Sequence, residues 1–91
     1  METLEYSDLE DNKKYDKALT LISKVKFEYK TGKHYSFLVE SGDNTHSVMF
    51  FEEKPKEERW QCDCKWHALH KGICSHIIAV NLALKQHVIE T

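Results

Sequence analysis

The chain has 91 residues, enough for one domain, and with 41% hydrophobic and 31% charged residues it has the composition of a folded protein rather than of a flexible linker. Its net charge of −2 divides unevenly, with −4 on residues 1–53 and +2 on residues 54–91. The slight positive charge of residues 54–91 argues against strong binding to polyanions. The longest nearly apolar stretch, residues 77–84, is far shorter than the roughly 20 residues of a membrane span, and the acidic start is unlike a signal peptide. We therefore expect an intracellular protein, cytoplasmic or at the nucleoid or nucleus, with no membrane partner.

The N-terminal part predicts one helix over residues 8–23. Ser7 and Glu10 are spaced as in a capping box, in which both side chains satisfy free amides of the first helical turn. Tyr15, Leu19 and Ile22 then recur at i, i+4 and i+7, which is the stripe of a helix packed on a sheet.

Residues 24–64 predict an antiparallel meander of three or four strands. Residues 24–30 alternate, so that Val25, Phe27 and Tyr29 would share one buried face. Further strands are expected at 34–40, 45–51 and 59–64, separated by turns at Gly32 and Gly42 and by a charged loop over 52–58.

A second helix is predicted over residues 77–87, and it is apolar on more than one side. Ile77, Val80 and Leu84 line one side, and Ile78 and Leu82 line another. Either both sides are buried within the domain, or Ile78 and Leu82 bind a protein partner, which could be a second copy of the chain. The whole pattern predicts a single α+β domain over residues 1–91, with its metal-binding segment and last helix in 62–87.

All three cysteines lie within 13 residues, and in a reducing compartment such a cluster indicates metal binding rather than disulfides. The pattern is Cys62-x-Cys64, nine residues, then Cys74-x-His76. Residues two apart on a strand point the same way, with Cα atoms about 6.7 Å apart, so Cys62 and Cys64 can reach one ion. These four residues are the predicted ligands of one structural Zn²⁺.

The second half of the pattern cannot lie wholly within a helix, because side chains at i and i+2 diverge. We expect Cys74 just ahead of the last helix, Ser75 as its N-cap and His76 in its first turn. His67 and His70 are rival ligands from the connecting loop, but the helix would hold His76 more firmly. Three buried cysteines beside a core histidine, or an iron–sulfur cluster, are the alternatives to zinc.

We expect no enzymatic activity. Four protein ligands would leave zinc without the open position that catalysis requires. Cys74 and His76 are also too close in sequence to face each other as a nucleophile and its base.

The segments WQCDC at residues 60–64 and CSHIIAV at 74–80 resemble the SWIM zinc finger, whose signature is C-x-C, a variable spacer and C-x-H opening an apolar helix. The resemblance covers about residues 34–84, including the preceding strands. Many members have lysine where this chain has Ser75, so a basic contact at that point is not implied. The resemblance implies DNA binding or association with proteins, and small SWIM proteins partner recombinase paralogues in homologous recombination.

Two functions follow as hypotheses. In the first, the domain docks a protein partner such as a recombinase-paralogue ATPase or another DNA-repair factor. In the second, it binds nucleic acid directly through basic and aromatic residues near the metal. The candidate residues for that contact are Arg59, Lys65, Trp66, His67, His70 and Lys71. The weak positive charge favours docking, with the tryptophans covering the metal site and the lysines solvated.

Overall fold

The structure is a computed structural model that describes residues 1–10, 12–70 and 72–91. In chain order its helices and strands are α1 (Tyr6–Glu10), α2 (Tyr15–Leu19), β1 (Val25–Thr31), β2 (His34–Ser41), β3 (Asn44–Phe51), β4 (Trp60–Cys62), α3 (Lys65–His70) and α4 (Ser75–Lys85). Short 3₁₀ turns at Ile22–Lys24 and Lys56–Glu58 lead into β1 and β4. The predicted α+β fold is confirmed.

Within the described residues, the strands form one four-stranded antiparallel sheet in the order β1-β2-β3-β4. The predicted turns between the first three strands are two-residue hairpins that begin with Gly32 at φ +53° and Gly42 at φ +63°. Glycine suits these positions because other residues rarely adopt a positive φ. The meander is thus confirmed, although β4 is shorter than the predicted strand over residues 59–64.

The alternation of β1 has one fault that the sequence pattern conceals. A β-bulge between Phe27 and Tyr29 shifts the register, so that Tyr29 pairs with Ser36 and Lys30 pairs with Tyr35. Because one extra residue turns every following side chain to the other face, Tyr29 leaves the face that Phe27 shares with the core. The prediction that Tyr29 is buried with Phe27 is wrong, and its side chain is 40% exposed.

The prediction of a single helix over residues 8–23 is also wrong, because two short helices, α1 and α2, stand in its place. Asn12 lies at the break, where its Oδ1 accepts a hydrogen bond from the Lys14 amide at 2.9 Å. Its Nδ2 donates to the carbonyl of Ile73 at 3.2 Å. An asparagine side chain competes in this way with helical hydrogen bonds. Leu19, which was expected in the core, is exposed.

The last helix, α4, is the centre of the core. It packs on all four strands and on α2. Its apolar residues from Ile77 to Ala83 are fully buried, including Ile78 and Leu82, which are both 0% exposed. Ile78 and Leu82 therefore do not form a partner-binding surface, and that prediction is corrected: the domain itself covers both sides of the helix.

The helices lie against one face of the sheet, which we call the inner face. It is formed by alternate residues of the strands that join the core, including Phe37 and Val39 of β2 and Val48 and Phe50 of β3. The opposite, outer face presents the residues between them. Among the described residues, no helix has the length and apolar character needed to cross a membrane.

Candidate metal centre

The predicted ligands converge at the point where β4 ends and α4 begins. Cys62 is the last residue of β4, and its Cα pairs with that of Val48 on β3. Cys64 follows on the same side, one residue before α3. The chain then returns through α3, so that the second half of the motif meets the first at the edge of the inner face.

Cys74 and His76 both reach the site because they differ in backbone conformation. Cys74 is extended, with φ −90° and ψ 172°, and is the N-cap residue of α4. His76 lies in the first turn of the helix, as predicted. Ser75 is already helical, so its predicted role as the N-cap is wrong, and that position belongs to the ligand Cys74.

The ligand atoms form a compact group, which we call the Cys₃His cluster: Cys62, Cys64, Cys74 and His76. All four atoms lie within 4.8 Å of one another. The Nδ1 atom of His76 is 3.7 Å from Sγ of Cys62 and 3.9 Å from Sγ of Cys74. With Zn–S bonds of about 2.3 Å and a Zn–N bond of about 2.1 Å, tetrahedral geometry separates S from N by about 3.6 Å. The cluster therefore fits zinc in both donor type and spacing.

The electrostatics of the site favour the thiolate at Cys74, and the thiolate is the form of cysteine that binds metal. A hydrogen bond from the Cys62 thiol, with a further contribution from His76, lowers the pKa of Cys74 to about 4. The same hydrogen bond, together with burial, raises the pKa of Cys62. The N-terminal end of α4 also lies at Cys74, where its positive dipole stabilises negative charge. Cys64 accepts a hydrogen bond on its sulfur from the amide of His67 at 3.4 Å.

The rival histidines do not join the cluster. His67 is buried, but its Nδ1 donates to the carbonyl of Gly72 at 2.7 Å and its Nε2 lies 3.2 Å from Oε1 of Gln61. His70 stacks on Trp66 with ring centroids 4.7 Å apart. In the described part of the chain, the group of potential metal ligands contains neither of them.

The residues predicted to contact nucleic acid are only partly available. Residues 65–70 form the helix α3 rather than the predicted loop, and Lys71 lies outside the described residues. Lys65 is exposed, but His67 is buried. Arg59 donates to the carbonyl of Lys54 at 3.0 Å and lies 3.4 Å from the carboxylate of Glu2.

Trp66 is engaged within the domain as well. Besides the stack on His70, the ammonium of Lys14 lies 4.7 Å from the centre of its ring. A Cβ atom at Gly72 would lie 3.3 Å from Cη2 of Trp66, so the ring packs closely on that glycine. These contacts agree with the alternative in which Trp66 covers the metal loop.

Two residues beside the cluster were not singled out from the sequence. His46 of β3 lies against the ring of His76, with centroids 4.2 Å apart, and its Nδ1 donates to Oδ1 of Asp63 at 3.2 Å. The alternation of the third strand does place His46 on the same side as Val48 and Phe50. A histidine on the core side of a predicted strand was therefore the feature of the sequence that could have indicated His46.

The fold and the site define the class: an α+β protein with a closed, cysteine-rich zinc centre. The family model of the SWIM zinc finger matches residues 42–85, a segment that contains all four ligands. The chain therefore carries a SWIM zinc finger, as the motif predicted, and the Cys₃His cluster holds one structural zinc ion. No curated protein and no solved structure was found to match the chain.

Proposed function

We propose that this chain is a zinc-stabilised interaction module that docks a protein partner through the outer face of its sheet. The observation that carries the proposal is the set of aromatic and apolar side chains on that face. They are Tyr29, His34, Leu38, Met49 and Phe51, which we call the outer patch. The patch takes the place of Ile78 and Leu82, which the domain buries.

The outer patch is continuous across three strands. Tyr29 meets His34 edge-on with centroids 5.8 Å apart, and His34 stacks on Phe51 at 4.6 Å. Ser36, between Tyr29 and Met49 in the register, is fully buried by its neighbours. Aromatic residues and methionine are enriched at the centres of protein interfaces, because they bury a large area at a small cost in conformational entropy.

The charges around the outer patch favour a protein over a nucleic acid. Lys26 pairs with Glu40 at 3.1 Å on one side of the patch. Lys33 and Glu53 lie 3.8 Å apart on another. Lys54 lies 4.6 Å from the centre of the Phe51 ring, and the Glu28 carboxylate accepts a hydrogen bond from Ser36 at 2.6 Å. Charges of both signs suit the polar rim of a protein interface, whereas a phosphate backbone calls for an excess of cations.

The resemblance to small SWIM proteins supports one class of partner. Because small SWIM proteins partner recombinase paralogues, we propose a recombinase-paralogue ATPase or another DNA-repair factor as the partner. The module is proposed to act by binding alone, since a zinc ion with four protein ligands has no position for substrate or water.

Direct binding of nucleic acid is the second candidate, and the exposure of Lys65 beside Trp66 favours it. Lys14 adds a second cation near the same ring. Against it, the predicted contact residues are largely held by other groups: His67 is buried, and Arg59 lies within 4.0 Å of a carboxylate.

The test is affinity purification of the chain from its native cell, with nuclease treatment and a matched pair of tyrosine variants. Tyr29→Ser removes an aromatic group from the outer patch, whereas Tyr6→Ser removes one of similar exposure, 46%, from α1. We expect nuclease-resistant capture of a partner that Tyr29→Ser weakens and Tyr6→Ser leaves unchanged.

Two results would contradict the docking proposal. The first is capture that disappears on nuclease treatment, together with binding of single- or double-stranded DNA that falls steeply with salt. The second is equal capture by the two tyrosine variants. A dimer that sediments as such, and that Tyr29→Ser dissociates, would replace the proposed partner with a second copy of the chain.

A further inference from the structure

The imidazole ring of the ligand His76 can be oriented either by a partner of its second nitrogen or by packing against its face. Its Nδ1 faces the cysteine sulfurs, while its Nε2 is buried and has no hydrogen-bond partner among the described residues. A metal-ligating histidine normally donates its second N–H to a carboxylate, a carbonyl or water, which fixes the orientation of the ring. At His76, packing against the face of the ring can supply the same restraint.

The ring of His46 is placed to do so. Its centroid lies 4.2 Å from that of His76, and the two planes differ by 33°. His46 stands on β3, where it pairs with Val39, two residues before Val48, which pairs with the ligand Cys62. The rigid sheet therefore holds His46 beside the cluster, and a ring at this distance restricts rotation of the His76 side chain.

Asp63 in turn holds His46. The carboxylate accepts a hydrogen bond from Nδ1 of His46 at 3.2 Å. Asp63 lies between the ligands Cys62 and Cys64, and its amide donates to the carbonyl of Ser47 at 3.2 Å. Its backbone is thus tied to the strand that carries His46. The C-x-C segment therefore contributes two metal ligands, Cys62 and Cys64. Its middle residue, Asp63, bonds to the histidine that lies against the fourth ligand.

We propose that His46 is a positioning residue for the zinc centre: by packing its ring against that of His76, it keeps Nδ1 of His76 directed at the metal and slows the release of zinc. Asp63 supports it through the hydrogen bond to Nδ1. This inference depends on the zinc centre and not on the docking proposal, so either can fail without the other.

The experiment measures the rate at which the zinc-loaded full chain loses its metal to an excess of chelator. His46→Leu keeps the bulk of the side chain and removes the aromatic ring, whereas His46→Phe keeps the ring and removes the bond to Asp63. We expect release about tenfold faster in His46→Leu, the lower end of the range for groups that orient metal ligands, and largely restored in His46→Phe.

His34→Ala is the matched control. His34 also stacks on an aromatic ring, Phe51, and its Nε2 is likewise buried without a partner in the described part of the chain, but it lies on the outer face. We expect this variant to release zinc at the rate of the unsubstituted chain.

A second readout separates positioning from general stability. With Co²⁺ in place of zinc, the visible absorption bands report the geometry of the four ligands. His46→Leu should shift or broaden these bands at temperatures where the protein is fully folded, and His46→Phe should return them towards the original spectrum. The proposal would be overturned by unchanged release and spectrum in His46→Leu, by a His46→Phe variant as fast as His46→Leu, or by equal acceleration in His34→Ala.

Discussion

Replacing the ligand His76 by alanine tests the zinc centre and its link to the core together. The imidazole is one of four ligands, and structural zinc contributes roughly 10–16 kcal/mol of apparent binding energy in small zinc domains. An even share among four ligands makes the loss about 2.5–4 kcal/mol. The side chain is also only 6% exposed, so its removal leaves a gap beside α4, which adds about 2 kcal/mol.

A loss of roughly 5 kcal/mol is comparable to the whole free energy of unfolding of many small domains. At about 4–8 °C for each kcal/mol, the midpoint of thermal unfolding should fall by at least about 20 °C. The measurements are thermal unfolding followed by circular dichroism, and zinc content after gel filtration. We expect His76→Ala to bind zinc substoichiometrically and to unfold in one transition together with the sheet.

The matched control is His70→Ala, which removes a rival ligand on the exposed side of α3. Its free energy of unfolding should change by no more than about 0.5 kcal/mol, as is usual at surface sites, and its zinc content should not change. The assignment would be refuted if His76→Ala kept its zinc and melted close to the unsubstituted chain, or if His70→Ala lost the metal instead.

Three further expectations concern single contacts. The pKa of Cys62 is raised while that of Cys74 is lowered to about 4, so Cys62 is protonated at pH 7 before metal binds. Zinc binding should therefore release protons, and its affinity should increase as pH rises. Calorimetry in buffers of different ionisation enthalpy measures the number of protons released. Asn81 is buried, and its Oδ1 accepts a hydrogen bond from the Leu4 amide at 2.8 Å. Asn81→Ala should therefore lower the free energy of unfolding in denaturant by about 1–3 kcal/mol and expose the N-terminal segment to protease, and unchanged stability would contradict this. Gly42→Ala should cost about 1–2 kcal/mol by the same measurement, because φ is +63° there although nothing crowds the site; a stabilised variant would disprove the strain.

Much of the sheet could be predicted because its inner face obeys a simple period. Phe37 and Val39 of β2, like Val48 and Phe50 of β3, are buried residues spaced two apart, and the glycine turns set the length of each hairpin. The metal ligands could also be predicted from their spacing, although β4 ends at Cys62 and Cys64 joins the cluster from the residues that follow the strand.

The departures arise where one local preference competes with a contact distant in sequence. The bulge that turns Tyr29 outward preserves the alternation of residue types, so no period could reveal it. At the break between α1 and α2, Asn12 donates a hydrogen bond to Ile73, which is 61 residues away. His46 contacts His76 because β3 pairs with β2 and β4 in this particular register. Each of these involves contacts between parts of the chain that are distant in sequence.

Zinc retention on the inner face of the sheet and partner capture on its outer face should be independent of each other. His46 lies on the inner face with the zinc centre, whereas Tyr29 lies on the outer face and has no contact with any zinc ligand among the contacts described above. Distant sites without shared partners contribute additively, within about 0.3–0.5 kcal/mol. In the double variant His46→Leu/Tyr29→Ser, zinc should therefore leave as fast as in His46→Leu alone, and partner capture should be as weak as in Tyr29→Ser alone. Faster zinc release in Tyr29→Ser would mean that the outer face is coupled to the metal, and the zinc would then regulate docking rather than simply stabilise the surface that docks.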